Sequence, residues 1–150
     1  MNKMAWMLKF LWLWPALLGT GIRVVSVAKD FSCLTVQLKT RFWNQNYFGT
    51  HYGGSLFSMT DPFYALMLVH LLGKDFVIWD KSASIKYKIA TKKPVFAKFE
   101  ITPQTLQDLQ RKLQQQNQVE PSFSIAIKDA DDNTVALVER TLHIRRKKPL

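Results

Sequence analysis

The chain is poor in the residues that form cross-links and metal sites. Its 150 residues include one cysteine, Cys33, and three histidines, His51, His70 and His143, at scattered positions. A single cysteine excludes an intrachain disulfide framework and a cysteine-rich zinc site, and the histidines match no metal-ligand spacing. We therefore expect no bound metal and a reducing, cytoplasmic location.

Acidic residues are also scarce. The chain has 11 Asp and Glu against 21 Lys and Arg, a formal net charge of +10. Such a charge favours anionic partners: phosphorylated ligands, acidic membranes or nucleic acid. Nucleic acid ranks third, because no reader motif accompanies the basic residues, and we expect no nucleic-acid partner.

Apolar residues are abundant. They make up 47% of the sequence, and 13% of it is aromatic. This content offsets the entropy of ordering and excludes wholesale disorder. The length suits one domain, which we place over residues 1–150.

The amino terminus carries a short apolar run over residues 4–18, interrupted by Lys9 and Pro15. The run is shorter than the roughly 20 apolar residues of a bilayer crossing, and no Ala-x-Ala cleavage pattern follows it. We predict a retained helix over residues 1–19, packed on the domain. An uncleaved interfacial anchor and a signal peptide stay open as alternatives, and so does membrane-surface contact, because three tryptophans fall within nine positions.

Two β-branched segments, 22–27 and 33–38, predict an opening hairpin. The aromatic and polar segment 42–50 predicts an ordered loop that leads into a helix. From Gly53 to Leu72 apolar residues surround nearly the whole circumference, which is typical of a helix enclosed by protein.

Two residues divide this central helix. Pro62 removes a backbone donor inside the predicted helix. The helix should therefore bend near Asp61 or begin there, with Asp61 as its N-cap. Gly73 is suited to end it.

The later segments alternate with a period of two. They predict a strand over 76–89, a turn at 91–94 and a following strand over 95–101, paired as a hairpin. Thr102 and Pro103 begin an exposed amphipathic helix. A closing hairpin follows over 123–144, and residues 145–150 form a basic tail that we expect to be flexible.

The order of these elements predicts an α+β fold in which an antiparallel sheet curls around a long central helix, with an added helix at the amino terminus. The edge strand and the open flank of the central helix would be uncovered in one copy. We therefore predict a homodimer, with a dimer of dimers as an alternative.

The segment from Asn46 to Asp61 resembles the signature of hotdog-fold acyl-CoA thioesterases of the phenylacetate-pathway type. Asn46, Gly53, Gly54 and Asp61 coincide with the Asn, the paired glycines and the catalytic acid of that family. Tyr52 stands where the family has His. The surrounding sequence is more similar still to an uncharacterised, domain-of-unknown-function branch of this superfamily that is labelled thioesterase-like.

The residues themselves suggest compatible chemistry. A carboxylate in a largely apolar helix must be paired, hydrogen-bonded or protonated, and Asp61 is such a group. Glycines at a helix start leave backbone donors free to hold a developing oxyanion, which suits Gly53 and Gly54. Their structural alternatives are that Asp61 only caps the helix and that the glycines only relieve crowding.

The resemblance implies hydrolysis of an acyl-CoA thioester to a carboxylic acid and coenzyme A, with no cofactor besides the coenzyme A of the substrate. Asp61 would act as general base or nucleophile, and Asn46 would orient the water or acyl group. In the family, the acid and the glycines come from different subunits. The catalytic candidates are Asp61, Asn46, Gly53 and Gly54.

Further residues are candidates for substrate binding. Ser58 and Thr60 would assist by hydrogen bonding, His51 and Tyr52 lie beside the glycines, and strand lysines would receive the phosphates of coenzyme A. The lysines are Lys81, Lys86 and Lys88. Their alternative is a solvated strand face, and Asp80 is expected to pair with Lys81. The second hypothesis for the whole protein is a non-catalytic acyl-CoA-binding or scaffold module; a dehydratase ranks below both.

Overall fold

The computed structural model describes residues 7–8 and 10–147. They form an α+β domain around a seven-stranded sheet with the order β1-β2-β4-β6-β7-β3, in which β5 also pairs with β7. Every pairing is antiparallel. The strands are β1 Ile22–Val27, β2 Cys33–Leu38, β3 Phe76–Tyr87, β4 Val95–Glu100, β5 Gln118–Val119, β6 Ser122–Asp129 and β7 Thr134–Arg146. The helices are α1 Gly53–Ser58, α2 Phe63–Leu72 and α3 Pro103–Gln115.

The central helix is bent, as Pro62 predicts. Helices α1 and α2 are separated by a turn over residues 59–62, and Gly73 ends α2 with a φ of 88°. Capping by Asp61 is not observed: Pro62 is the N-cap residue and no side chain caps the helix. The 20-residue segment is long and apolar enough to cross a membrane by length and composition. Here it is the core helix, with buried side chains at Leu56, Met59, Phe63, Tyr64, Met67 and Leu68.

Both outer hairpins are confirmed, but the predicted hairpin of β3 with β4 is wrong. β3 pairs with β7 over its whole length, from Phe76 opposite Arg146 to Tyr87 opposite Ala136. β4 lies between β2 and β6. The short connection favoured a hairpin by chain proximity alone, whereas the long register with β7 satisfies many more backbone groups.

The expected amino-terminal helix is not shown. In the described part of that segment a 3-10 turn, Leu11–Leu13, is followed by Trp14 with extended backbone angles (φ −63°, ψ 130°). The residue before a proline is disfavoured from helical geometry, so Pro15 ends the turn. Leu11 and Leu17 still pack into the core. Residues 1–6 and 9 of the predicted helix lie outside the described residues.

Helix α3 is confirmed with its predicted start. Thr102 Oγ1 accepts a hydrogen bond from Thr105 N at 3.1 Å, and Pro103 is the first helical residue. On its inner side, its own residues Leu109 and Leu113 are buried.

The long strands β7 and β3 form one edge of the sheet. β7 continues to Arg146, so the first two residues of the predicted basic tail belong to the sheet, and residues 148–150 lie outside the described residues. β3 is an edge strand of the sheet. Most of its side chains are exposed, including Trp79 and Tyr87.

Candidate active site

A buried arginine lies at the centre of the candidate site. The inward positions of β7 are Val138, Arg140, Leu142 and Ile144, and all of them are buried. Arg140 therefore brings a positive charge to the apolar face of the sheet, where it is only 3% exposed. A charge at such a position needs partners, because burying it unpaired is very costly.

The guanidinium of Arg140 satisfies this requirement with partners on two other elements. Its Nη1 lies 3.2 Å from Asp61 Oδ2 and 3.4 Å from Asp80 Oδ2. Its Nε donates to Thr60 Oγ1 at 3.1 Å, and Nη2 donates to the Phe57 carbonyl at 3.4 Å. One side chain thus ties the bend of the central helix to strands β3 and β7.

The two carboxylates differ in solvent exposure. The Asp61 side chain is 52% exposed, whereas the Asp80 side chain is 23% exposed. Asp80 Oδ1 is buried and makes no hydrogen bond within the described residues. Burial raises the pKa of Asp80, and the Asp61 charge acts in the same direction, while Arg140 opposes both. Asp61 is thus the carboxylate that a ligand from solvent can reach.

Asp61 lines a cleft of about 280 Å³. Trp14, Ala16, Leu17, Phe57 and Pro62 contribute apolar walls, and Ser58, Asp61 and Arg140 contribute polar groups. The cleft therefore combines an apolar lining with one accessible carboxylate, the pattern expected of a small-molecule site.

Asn46 and Gly53 lie in a different cavity of the same chain. This cavity has a volume of about 330 Å³ and is lined by Asn46, Thr50, His51, Gly53, Leu56, Tyr87, Lys88, Ile89, Ala90 and Thr91. In the part of the chain that the structure describes, it shares no lining residue with the Asp61 cleft. Within one protomer, the structure therefore does not bring Asp61 together with Asn46 and Gly53.

The amide of Asn46 organises its own loop. Asn46 Oδ1 accepts hydrogen bonds from Phe48 N and Thr50 N at 3.0 Å, and Nδ2 donates to Thr50 Oγ1 at 2.8 Å and to the His51 carbonyl at 3.2 Å. These bonds explain how a segment rich in turn-forming residues is ordered.

His51 is a buried, hydrogen-bonded histidine. Its Nε2 lies 2.8 Å from the Lys93 carbonyl and 3.1 Å from Thr40 Oγ1. Burial lowers the pKa of His51, and the bond to the Lys93 carbonyl opposes that shift. The side chain thus links the glycine-containing loop to the segment that precedes β4.

The paired glycines lie against aromatic rings. A Cβ at Gly53 would lie 3.0 Å from Tyr87 Oη, which also donates to the Gly53 carbonyl at 3.0 Å. A Cβ at Gly54 would clash with the ring of Tyr52. The glycines therefore do relieve crowding, as the structural alternative predicts. The backbone amides of Gly53 and Gly54 nevertheless lie at the start of α1, where the proposed oxyanion role requires them.

The remaining candidates are dispersed. Ser58 lines the Asp61 cleft, and the buried Thr60 accepts from Arg140. Lys81 pairs with Glu120 at 2.7 Å and not with Asp80, so the predicted Asp80–Lys81 pair is wrong. Lys86 is exposed on β3, and Lys88 lines the Asn46 cavity.

Arg140 is the site residue that sequence reasoning missed. The signal was present, because a charged residue occupies an inward position among Val138, Leu142 and Ile144. Alternation of this kind predicts a buried cation, and a buried cation predicts a carboxylate partner on another element. Its partner, 79 positions away, is not readable from that pattern.

The antiparallel sheet with its central helix matches the hotdog fold that the sequence resemblance implies. The chain belongs to the family described as "Domain of unknown function (DUF4442)", whose model matches residues 3–144. No curated protein matches the chain.

Several solved structures share the fold. A thioesterase-like protein of unknown function from Pseudomonas aeruginosa superposes with a TM-score of 0.82 at 14% identity, covering 95% of this chain and 96% of that one. A thioesterase-like protein from Shewanella oneidensis gives 0.72 at 19% identity, covering 98% and 100%. A hypothetical thioesterase from Streptococcus pneumoniae, solved with coenzyme A, gives 0.60 at 18% identity, covering 85% and 88%. At these identities the similarity shows the fold alone.

Proposed function

We propose that this protein hydrolyses acyl-CoA thioesters, with Asp61 as its central carboxylate. The observation that carries the proposal is the position of Asp61: a half-exposed carboxylate in an otherwise largely apolar cleft, with one oxygen on Arg140. The coenzyme A complex of a protein with the same fold supports this substrate class.

The cleft suggests how the reaction would proceed. The apolar walls around Trp14, Leu17 and Phe57 would hold the acyl chain out of water. The positive charge of Arg140 compensates the charge of Asp61, so that a carboxylate is tolerated beside these walls. Asp61 would take a proton from a water molecule as that water attacks the thioester carbon.

The later steps return the proton and release the leaving group. Attack forms a carbon–oxygen bond and places a negative charge on the thioester oxygen, which the amides at Gly53 and Gly54 would stabilise at the start of α1. Collapse of this intermediate breaks the carbon–sulfur bond. The thiolate of coenzyme A takes the proton from Asp61, and the acyl group leaves as a carboxylic acid. In the nucleophilic alternative, Asp61 attacks the carbon directly and water hydrolyses the resulting anhydride.

This mechanism requires two protomers. The Asp61 cleft and the cavity that contains Gly53 are separate in one chain. We propose a homodimer that combines Asp61 of one protomer with the glycines of its partner. The exposed edge strand β3 supports the assembly, because its unpaired backbone groups suit pairing with a second copy.

Subunit complementation tests the shared site. Asp61→Asn and Gly54→Ala should each be inactive alone, and a mixture refolded together should recover about a quarter of wild-type activity, because half of the dimers carry one intact site of two. Circular dichroism of both variants checks their folding. A mixture as inactive as its components would contradict the shared site.

A panel of acyl-CoA substrates tests the reaction itself. Wild-type protein should release free coenzyme A with repeated turnover on at least one chain length, measured with a thiol reagent. Turnover absent across the panel would contradict the hydrolase.

The second candidate is a non-catalytic acyl-CoA-binding module. The observation that favours it is that Asn46 already forms hydrogen bonds within its own loop, and His51 already bonds to the Lys93 carbonyl. Calorimetry distinguishes the two functions: the module predicts saturable acyl-CoA binding without release of coenzyme A.

A further inference from the structure

The outer surface of the first hairpin contains a strongly basic cavity, which the proposed reaction does not use. The cavity has a volume of about 340 Å³ and is lined by Gly21, Arg23, Val25, Gln37, Lys39, Arg41 and Trp43. Among the described residues, no carboxylate lines it. Within the described residues, none of its three cations forms an ion pair. Cations gathered without a counter-charge favour an anion among them.

Exposed aromatic side chains lie in and beside this cavity. Trp43, which lines it, is 58% exposed and Phe42 is 86% exposed, and their rings meet edge to face with centroids 4.8 Å apart. The exposed ring of Trp12 lies 5.2 Å from the guanidinium carbon of Arg23, another lining residue. We call these residues the basic-aromatic surface: Trp12, Arg23, Lys39, Arg41, Phe42 and Trp43.

The indole of Trp43 is held in place. Its Nε1 donates to the Gly19 carbonyl at 3.1 Å, beside the exposed Leu18. The aromatic ring is therefore presented outward on a defined support. An aromatic ring exposed to water contributes no burial energy, whereas tryptophan is energetically favoured at a membrane interface.

The charge distribution along the chain agrees with this surface. The first 60 residues contain six Lys and Arg and a single acidic residue, Asp30. All remaining acidic residues follow from Asp61 onward. The first 60 residues, which contain the whole basic-aromatic surface, therefore attract anions.

We propose that the basic-aromatic surface docks the protein on a bilayer that contains anionic phospholipids. The phosphates of the headgroups would enter the cavity between Arg23, Lys39 and Arg41, and Phe42 and the tryptophans would lie among the headgroups and upper acyl chains. A soluble anion would satisfy the cations but leave Phe42 and Leu18 in water. A lipid surface satisfies both kinds of side chain at once.

The location of the surface also relates to the candidate cleft. Trp14 and Leu17, which line the Asp61 cleft, follow Trp12 closely along the chain. Docking would therefore hold that cleft near the bilayer. This relation rests on the proposed function, whereas lipid binding itself does not.

Vesicle sedimentation of the full chain tests the proposal without measuring turnover. Wild-type protein should sediment with vesicles of phosphatidylcholine and phosphatidylserine, remain in solution with phosphatidylcholine alone, and be released from the anionic vesicles by high salt. Each basic residue near an anionic bilayer changes partitioning by about fivefold, so Arg23→Gln, Lys39→Gln and Arg41→Gln together should lower it by about a hundredfold.

Matched variants separate charge from apolar contact. Phe42→Ser with Trp43→Ser should also reduce binding, whereas Arg23→Lys with Arg41→Lys should retain it because the charge is kept. Lys74→Gln with Lys112→Gln removes two exposed cations elsewhere and should leave binding unchanged.

Three results would overturn the proposal. They are no sedimentation of wild type with anionic vesicles, equal sedimentation with neutral vesicles, and unchanged binding by the triple Gln variant. Inorganic phosphate that binds tightly and prevents sedimentation at millimolar concentration would identify a soluble-anion site instead. Loss of self-association in the triple Gln variant by ultracentrifugation, with vesicle binding absent in wild type, would identify a protein interface.

Discussion

Arg140 and Asp61 are 79 residues apart in the chain, and their side chains meet at 3.2 Å between Nη1 and Oδ2. The contact joins β7, the strand beside the edge strand β3, to the bend of the central helix. It leaves the arginine buried and the aspartate half-exposed in a cleft. This asymmetry permits the carboxylate to meet a ligand while its charge stays compensated from within.

Removing the guanidinium should destabilise the protein strongly. In Arg140→Met, Asp80 loses its cation and the buried Thr60 keeps only its bond to the Phe57 carbonyl. We expect the free energy of unfolding to fall by about 3 kcal/mol, as for other buried pairs that lose one member. Urea denaturation measures the change. Arg111→Met is the matched control, because Arg111 pairs with Asp108 at the surface and should cost less than about 1 kcal/mol. Equal losses in the two variants would contradict a central role for Arg140.

Asp80 should make the folded protein less stable as the pH rises. Because burial raises the pKa of Asp80, the folded state binds a proton more readily than the unfolded chain above the ordinary value of 3.8. The stability of wild type relative to Asp80→Asn should therefore decrease as the pH rises from about 4 through the raised pKa.

Urea denaturation of both proteins at several pH values gives this difference. The exposed Asp132, which pairs with Lys128 at the surface, provides the control substitution Asp132→Asn. A stability difference between wild type and Asp80→Asn that does not change with pH would contradict a raised pKa of Asp80 in the folded state.

His51 should act in the opposite direction. Burial lowers the pKa of His51 below its ordinary value of 6.5, so the unfolded chain binds the proton more readily. The stability that His51 contributes is thus present above 6.5 and is lost as the pH falls below that value. Thermal unfolding of wild type and His51→Gln between pH 5 and 8 should show a loss at low pH that is smaller in the variant. Parallel curves would argue against a buried neutral histidine.

Local sequence signals predicted the elements whose cause is local. Thr102 and Pro103 start α3 because a capping hydroxyl and a proline at the first position need only their own neighbours. The bend at Pro62 has the same origin. Trp14 shows that one residue can override an apolar pattern, since its extended backbone before Pro15 ends the amino-terminal turn.

The relationships that build the candidate site are long-range, and the sequence pattern does not contain them. β3 pairs with β7 and not with β4, the next strand in the chain, so β7 sets the register of β3. Asp80 therefore meets Arg140, and Lys81 meets Glu120. The motif from Asn46 to Asp61 predicted the candidate residues, but their division between two cavities depends on long-range packing.

The most direct test of the account is the rate of acyl-CoA hydrolysis by Asp61→Asn beside wild type and Asp75→Asn. Asp75 is an exposed residue immediately before β3, and it lines neither the Asp61 cleft nor the Asn46 cavity. If Asp61 is the central carboxylate, Asp61→Asn should lose about a hundredfold to ten-thousandfold in kcat while its circular dichroism and oligomeric state match wild type, and Asp75→Asn should keep full activity. A folded Asp61→Asn that hydrolyses the substrate at the wild-type rate would contradict the account.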